Sequence, residues 1–201
     1  MTTNSLTFVR NHAKVMVACD FFVVITGAFR TLYVFVIIEI ESRRVLHHNV
    51  TVHPTAEWTL QQFREALPGD HAYRFVIHDR DTIFSKQLDM EVTGLGVRVL
   101  RTPVRSPRAN AVCERLGGSL RRLDYLNPIN ERHLKMIVKE WAIHYNRGRP
   151  HSSLGPGTPE STQSEVPESD HGHKIPPGYR VAKTSVLGGL HHEYRLVKEA
   201  A

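Results

Sequence analysis

A short apolar strand that ends in a run of charged residues constrains this chain more than any other feature of its sequence. Residues 75–77 read Phe-Val-Ile, an aromatic and β-branched run that predicts a buried strand. The next four residues, 78–81, read His-Asp-Arg-Asp, which the interior of a strand would not accept. Charged side chains just past a buried strand lie at the edge of an α/β sheet, where ligands usually bind. The sequence therefore predicts a site at this sheet edge.

Two further acids occupy positions that suggest the same chemistry. Asp20 interrupts the apolar run Val15–Val24, and an ionised carboxylate is costly there unless it is paired or binds a metal. Glu114 lies in a basic segment, one turn into a helix predicted to begin near Ala109. Together with Asp79, these acids could converge on a divalent ion such as Mg²⁺, which prefers carboxylate oxygens. Three separated carboxylates thus predict a metal site.

Each acid also has an ordinary structural interpretation. Asp20 could be a buried acid bonded to backbone amides or to an arginine. Asp79 and Asp81 could be turn residues, which is the commoner role of Asp after a strand. Glu114 could be a solvated helix residue paired with a neighbouring arginine. These interpretations are reasonable one at a time, whereas three acids at strand and helix ends together favour a shared site.

Hydrophobic periodicity predicts an α/β (α+β) fold built on one mixed sheet. Three consecutive strands with short connections imply an antiparallel meander. A helix capped by Thr55 then leads to the fourth strand, so the pattern changes to β–α–β. The predicted strands are 15–24, 32–40, 45–52, 73–77 and 97–100, and the predicted helices are 55–67, 85–93, 109–122 and 131–145. The expected architecture is a five-stranded mixed sheet flanked by helices.

Composition divides the chain into four parts. Residues 1–14 form an N-terminal extension, and residues 15–154 contain all the predicted elements of the core. Residues 155–178 are rich in proline and acidic side chains and almost lack apolar residues, which is typical of an extended or disordered linker. Residues 179–201 form a C-terminal tail that is too short to be a domain.

Charge and cysteine content narrow the class of protein. The net charge of +6 favours a polyanionic partner such as nucleic acid. Cys19 and Cys113 form no CxxC pair, which argues against a disulfide framework or a cysteine zinc site and suits a reducing cytosol. The N-terminus lacks the apolar core of a signal peptide, and the apolar run Val15–Ile25 is too short to span a bilayer. We therefore expect a cytoplasmic protein with no membrane partner.

The three acids lie within motifs that resemble a known family. The motifs are Asp20-Phe21-Phe22, Ile77-His78-Asp79-Arg80-Asp81, Arg101-Thr102-Pro103, Ser106–Ala111, Glu114-Arg115, and Tyr145-Asn146 with Arg149-Pro150-His151. As a set they resemble the integrase-type catalytic core of bacterial insertion-sequence transposases, a family related to retroviral integrases. The resemblance covers roughly Val15 to Leu154, and the tail from Gly188 to Tyr194 also resembles that of a subgroup.

This resemblance implies an RNase H-like fold with an Asp-Asp-Glu triad formed by Asp20, Asp79 and Glu114. It implies two Mg²⁺ or Mn²⁺ ions per site, which such enzymes use to cut and join DNA strands. It also implies a homodimer or higher multimer that brings two DNA ends together. We align Asp79 with the second acid of the family because relatives often carry glycine at the position of Asp81; Asp81 is the alternative.

A concentration of basic residues beside the acids predicts contacts with DNA phosphates. On a continuous α-helix, Arg115 and Arg122 are seven residues apart and share a face. The alternative is a solvated basic face, and Arg149 and His151 could instead stabilise the loop after the last helix. The predicted DNA-binding residues are Arg105, Arg108, Asn110, Arg115, Arg121, Arg122, Arg149 and His151.

Two departures from the family pattern leave other functions open. The helix-turn-helix that precedes the core in relatives has no counterpart in residues 1–14, and Gly117-Gly118 stands where relatives usually have one glycine. Adjacent glycines cost about 1 kcal/mol each in a helix relative to alanine. The leading prediction is a DNA strand-transfer enzyme. The alternatives are a nuclease of the same fold that only hydrolyses DNA, and an inactive remnant or accessory DNA-binding subunit.

Overall fold

The fold is described from a computed structural model. It describes residues 3–102, 111–152, 154, 157–160 and 175–199, and of residues 3–6, 111, 114 and 124 the backbone alone. The other residues, including 161–174 of the predicted linker, lie outside the described part of the chain.

A five-stranded mixed sheet forms the centre of the structure, as predicted. Its strands are β1 (Met16–Ile25), β2 (Thr31–Glu39), β3 (Val45–Thr51), β4 (Phe75–His78) and β5 (Arg98–Arg101). Their order is β3-β2-β1-β4-β5. The first three strands form the antiparallel meander, and β4 and β5 continue the sheet in parallel with β1. The parallel pairs place the C-terminal ends of β4 and β5 side by side, at the level of Cys19 and Asp20 in β1.

The described residues include five α-helices: α1 (Thr3–His12), α2 (Ala56–Ala66), α3 (Lys86–Thr93), α4 (Ala111–Leu120) and α5 (Glu131–Arg147). Short polar side chains cap three of them. The side chains of Thr55, Ser85 and Asn130 accept hydrogen bonds from the backbone N–H groups three residues later. Among the described helices, none combines the length and apolarity needed to cross a membrane.

Two apolar layers cover the two faces of the sheet, because side chains alternate along each strand. Val17 and Cys19 of β1 lie in one layer, which α2 and α3 complete with residues such as Phe63 and Leu88. Met16 and Ala18 lie in the other, which is completed by α4 and α5. Asp20 continues the alternation of Met16 and Ala18 and therefore lies on the face covered by α4 and α5.

Helix α4 ends earlier than the sequence predicted. The prediction extended it to about Arg122, whereas the α-helix ends at Leu120 and the chain continues as a 3₁₀ helix over Arg121–Leu126. The tighter 3₁₀ turn is common at helix C-termini. The two glycines 117 and 118, which have low helix propensity, lie in the last turn and weaken the α-helix there without breaking it. The predicted start near Ala109 lies outside the described residues.

A β-hairpin follows the linker and packs on α5. Its strands, β6 (Tyr179–Val186) and β7 (His191–Lys198), pair antiparallel, and Leu187 between them is buried. His144 of α5 and Glu193 of the hairpin pair through Nδ1 and Oε1 at 2.7 Å. The backbone N–H of Leu187 donates to Glu140 Oε1 at 2.6 Å. Within the tail predicted as residues 179–201, the structure thus forms a hairpin that contacts α5 through its turn and Glu193.

Asn146, near the end of α5, ties that helix to the start of β3. Its side-chain carbonyl accepts from the backbone N–H of Val45 at 2.9 Å, and its amide donates to the carbonyl of Val45, also at 2.9 Å. Both residues are buried. The amide therefore satisfies both backbone polar groups of a residue at the edge of the sheet. It also fixes the turn between β2 and β3, which ends just before Val45.

Candidate active site and adjacent basic pocket

Two of the predicted acids lie at the same level of neighbouring parallel strands. The pairing of β1 with β4 sets Ala18 opposite Ile77. Asp20 and Asp79 each follow two residues later, so the same register brings them opposite one another where β4 ends. Both are partly exposed, whereas Ala18 and Ile77 are buried. Two carboxylates therefore lie side by side at the C-terminal end of β4, on the face of the sheet that α4 covers.

The negative charges of Asp20 and Asp79 affect the pKa of the buried Cys19 thiol. Burial raises the pKa of Cys19 well above its ordinary value, and the charges of Cys113, Asp20 and Asp79 raise it further. The thiol is therefore protonated near neutral pH.

Asp79 and Asp81 differ in their surroundings. Asp79 Oδ1 accepts the backbone N–H of Asp81 at 2.9 Å. Asp81 Oδ1 accepts the backbone N–H of Ile83 at 3.0 Å and the hydroxyl of Thr82 at 3.3 Å, and its side chain is exposed. Asp81 therefore closes the turn that follows β4. Asp79 lies nearer the sheet, in register with Asp20.

His78 supports the site from the opposite face of the sheet instead of contributing to it. Its Nε2 pairs with Asp89 Oδ1 at 3.0 Å, and its ring stacks on Phe84 at 4.2 Å. Asp89 Oδ2 in turn accepts from Arg101 Nε at 2.6 Å. This chain of contacts joins the ends of β4 and β5 to α3. Sequence reasoning missed Asp89, because an acid on a short helix carries no local signal of such a role.

Helix α4 approaches the acids through a glycine. A Cβ at Gly117 would lie 2.6 Å from Cε1 of Phe22, so only glycine permits this packing of α4 against β1. Phe22 shares the face of Asp20, two residues earlier on β1. Glu114 lies in α4 one turn before Gly117, and of this residue the structure describes the backbone alone. Residue 114 therefore lies on the helix that packs over the face of β1 to which Asp20 belongs.

The two adjacent glycines of α4 predict opposite effects of the same substitution. We expect Gly118→Ala to raise the free energy of unfolding by about 1 kcal/mol, because it adds helix propensity in open space. We expect Gly117→Ala to lower it by about 1 kcal/mol, since overpacking against Phe22 outweighs the same gain. Urea unfolding of the two variants measures both values. Equal stabilisation by both would show that α4 does not approach β1 this closely.

A basic pocket lies beside α4, between the β2–β3 turn and the end of α5. Its volume is about 250 Å³. Three arginines line it: Arg43 from the turn, Arg115 from α4, and Arg149 from the segment after α5. The remaining lining residues are Val112, Ser119, Tyr145, Pro150, His151 and Ser152. In the hairpin turn between β2 and β3, Arg43 adopts a positive φ of 64°.

Neutral groups hold Arg149 in place at the wall of this pocket. Its Nη1 donates to Ser119 Oγ at 2.6 Å, and its guanidinium carbon lies 5.9 Å from the centre of the Tyr145 ring. His151 contacts the same ring edge to face at 4.5 Å. In the part of the chain that the structure describes, no carboxylate forms a salt bridge with Arg43, Arg115 or Arg149.

The positive charges in the pocket act on one another. Burial lowers the pKa of Arg43, and the nearby charge of Arg115 lowers it further. Burial likewise lowers the pKa of His151; a hydrogen bond with the carbonyl of Tyr145 opposes this, and the charges of Arg149 and Arg43 add to the lowering. The pocket therefore holds converging cations without an acidic partner among the described side chains.

The predicted DNA-binding residues fall into three groups. Arg115, Arg149 and His151 come together in the basic pocket. Arg121 and Arg122 are exposed on the 3₁₀ helix, so the α-helical spacing that predicted one face for Arg115 and Arg122 does not extend to Arg122. Arg105, Arg108 and Asn110 lie outside the described residues. Arg43 was not predicted, because its turn is distant in sequence from the other basic residues.

Divalent metals prefer oxygen ligands, and Asp20 and Asp79 offer carboxylate oxygens in matching register. Among the side chains that the structure describes, which exclude that of Glu114, no group of three or more His, Cys, Asp or Glu residues could hold a metal ion. Within the described side chains, the two aspartates thus offer carboxylate oxygens but do not by themselves form a complete metal-binding group.

Comparisons with known proteins give a family match for part of the chain and a fold likeness for most of it. Residues 95–159 match the family model of the integrase core domain, a segment that contains Glu114 and every residue lining the basic pocket except Arg43, but neither Asp20 nor Asp79. The fold is similar to a chain of the simian T-cell lymphotropic virus intasome, solved in complex with the PP2A regulatory subunit B56 gamma. That match has a TM-score of 0.59 and 15% identity, and it covers 81% of this chain and 57% of the viral chain.

The fold is also similar to the catalytic core domain of BIV integrase, with a TM-score of 0.51 and 17% identity over 73% of this chain and 91% of that domain. A search of curated proteins found no match in sequence. The architecture is therefore the RNase H-like α/β fold of integrase catalytic cores. Within it, the segment that matches the integrase core domain model begins just before β5 and extends beyond α5.

Proposed function

We propose that this chain is the catalytic core of an Asp-Asp-Glu transposase or integrase, of the bacterial insertion-sequence type, that cuts and joins DNA strands. The observation that carries the proposal is the register of β1 and β4, which sets Asp20 and Asp79 opposite one another at the sheet edge. The fold shared with integrase cores and the match to the integrase core domain model over residues 95–159 support it.

Asp20, Asp79 and Glu114 are the residues that would hold the metal, as two Mg²⁺ or Mn²⁺ ions. When bound, such ions activate the attacking oxygen and stabilise the leaving one in an in-line displacement at phosphorus. The sheet holds the two aspartates on rigid strands, and α4 contributes the third acid from a helix packed against β1. The ligands thus come from separate elements whose relative positions the core determines.

The basic side chains supply the attraction for DNA. Arg115, Arg149 and His151 gather in the pocket beside α4, and Arg121 and Arg122 are exposed just beyond that helix. Because phosphate contacts position a duplex without reading its sequence, these residues orient the scissile bond toward the acids. We propose that the chain acts as a homodimer or higher multimer, since joining two ends to a target requires two sites.

A nicking and strand-transfer assay on labelled DNA in Mg²⁺ or Mn²⁺ tests this function. We expect metal-dependent cleavage followed by joining of the new 3′ end to a second duplex, with both lost in Glu114→Gln. Cleavage without joining would show the hydrolysis-only nuclease. A folded protein that binds DNA and never cuts it would show an accessory subunit or an inactive remnant, and would refute the catalytic proposal.

A further inference from the structure

The basic pocket has the properties of a site for one phosphate group. Three guanidinium groups from three separate elements line a concavity of about 250 Å³, several times the roughly 30 Å³ that a water molecule occupies in the liquid. Guanidinium groups bind phosphate oxygens with paired N–H donors. Arg115 is exposed, and the structure describes no acid that pairs with any of the three. Among the described side chains these three cations have no acidic partner, and an anion would complement their charge.

The backbone of Arg43 is held by the turn between β2 and β3. Its φ of 64° lies in the left-handed region, which Gly or Asn adopts more readily than other residues. Asn146 bonds to Val45 just after this turn, and Arg44 and Ser42 bond to Glu39 within it. These contacts hold Arg43 at the wall of the pocket.

The pocket and the acids lie on different flanks of α4. Gly117 contacts β1, and position 114 lies one turn before it on that flank. Val112, Arg115 and Ser119 recur at helical spacing on the flank that faces the pocket. If the scissile bond of a nucleic-acid strand lies at the acids, the strand can cross α4. Another of its phosphates would then lie in the pocket on the other flank of this helix.

We propose that Arg43, Arg115 and Arg149 together bind one backbone phosphate of the nucleic-acid substrate, in the pocket across α4 from the carboxylates. This assignment rests on the proposed function and adds to it a phosphate subsite that includes the turn between β2 and β3. Arg43 contributes a cation from the far side of the pocket, and Ser119 and Tyr145 hold Arg149 so that its guanidinium remains in the pocket wall. Arg43 and Arg149 are positioned before the substrate arrives.

Two measurements on the full chain test the subsite. The first follows the side-chain N–H signals of arginine by NMR during titration with inorganic phosphate, with chloride as the reference anion. In the wild type, we expect phosphate to shift the signals of Arg43, Arg115 and Arg149. In Arg43→Asn, we expect the signals of Arg115 and Arg149 to stay unshifted. Asparagine removes the charge but accepts a positive φ, so this variant should be no less stable than the wild type. Shifts spread over arginines throughout the surface would overturn the proposal.

The second measurement is the salt dependence of binding to a short DNA duplex. Each phosphate contact contributes about 0.9 to the slope of log affinity against log salt concentration. Because the three arginines share one phosphate, we expect Arg43→Asn and Arg115→Gln each to reduce this slope by a measurable share of that value of about 0.9. Arg64→Gln, at an exposed arginine on α2 across the sheet, should leave the slope unchanged. If inorganic phosphate binds but the slope is unchanged in both pocket variants, the pocket serves a small phosphate compound and the nucleic-acid assignment is wrong.

The results of these two measurements are independent of the cleavage assay that tests the proposed function. A wild-type protein that cuts DNA while both pocket variants keep the full salt slope would overturn the subsite and leave the proposed function intact. A protein that never cuts DNA but loses slope in the pocket variants would retain the subsite and lose the catalytic role.

Discussion

Asp79→Asn is expected to lower metal-dependent cleavage and joining of DNA by about a thousandfold or more. The substitution removes a charged metal ligand while keeping the shape of the side chain and the oxygen that accepts the N–H of Asp81. Metal stabilisation of the transition state is worth several kcal/mol, and each 1.36 kcal/mol is a factor of ten in rate. Rates of nicking and strand transfer, measured at saturating Mn²⁺, give the loss.

Asp81→Asn is the matched control, two residues along the same turn. Its amide oxygen can still accept the N–H of Ile83, so the turn is retained and the rate should stay within a few fold of the wild type. If Asp81→Asn abolished cleavage and Asp79→Asn did not, Asp81 would be the second acid and the register argument from β1 and β4 would be wrong.

Asn146→Ala is expected to lower the free energy of unfolding by about 3 kcal/mol. It removes two hydrogen bonds of 2.9 Å and leaves both the N–H and the C=O of buried Val45 without their partner. Each buried polar group left unsatisfied costs about 1–3 kcal/mol. Urea unfolding measures the loss, with Asn11→Ala on the exposed surface of α1 as the control, expected within about 0.5 kcal/mol of the wild type.

We expect Asn146→Ala to affect the basic pocket as well. Val45 follows the turn that carries Arg43, so loss of the Asn146 bonds frees that turn and should weaken phosphate binding at the pocket. Equal stability of Asn146→Ala and Asn11→Ala would contradict the description of Asn146 as the link between α5 and β3.

The strands were predictable because each is a local apolar or β-branched run. The meander of the first three follows from their short connections, and the position of β4 beside β1 follows from the change to a β–α–β pattern. Since side chains alternate along a strand, the sheet order brings Asp20 opposite Asp79. The alignment of these two aspartates was therefore accessible from sequence, and the catalytic role of Asp20, Asp79 and Glu114 remains a prediction.

Features that depend on tertiary contacts were not predictable. Asn146 and Val45 meet across the chain, from α5 to the start of β3. Arg43 joins Arg115 and Arg149 across the pocket, from a turn that is distant in sequence from both. The hairpin of β6 and β7 packs on α5 through Glu193 and His144, which are far apart in sequence. The end of α4 at Leu120 reflects a local balance between α and 3₁₀ geometry that spacing alone cannot resolve.

The most direct test of the metal-dependent site is anomalous diffraction from crystals of the protein soaked in Mn²⁺. We expect an anomalous peak at the edge of the sheet, within coordination distance of the carboxylates of Asp20 and Asp79, and its loss in crystals of Asp79→Asn. Ordered crystals of the wild type that bind Mn²⁺ elsewhere, or show no peak between these two aspartates, would contradict the assignment of this sheet edge as a catalytic metal site.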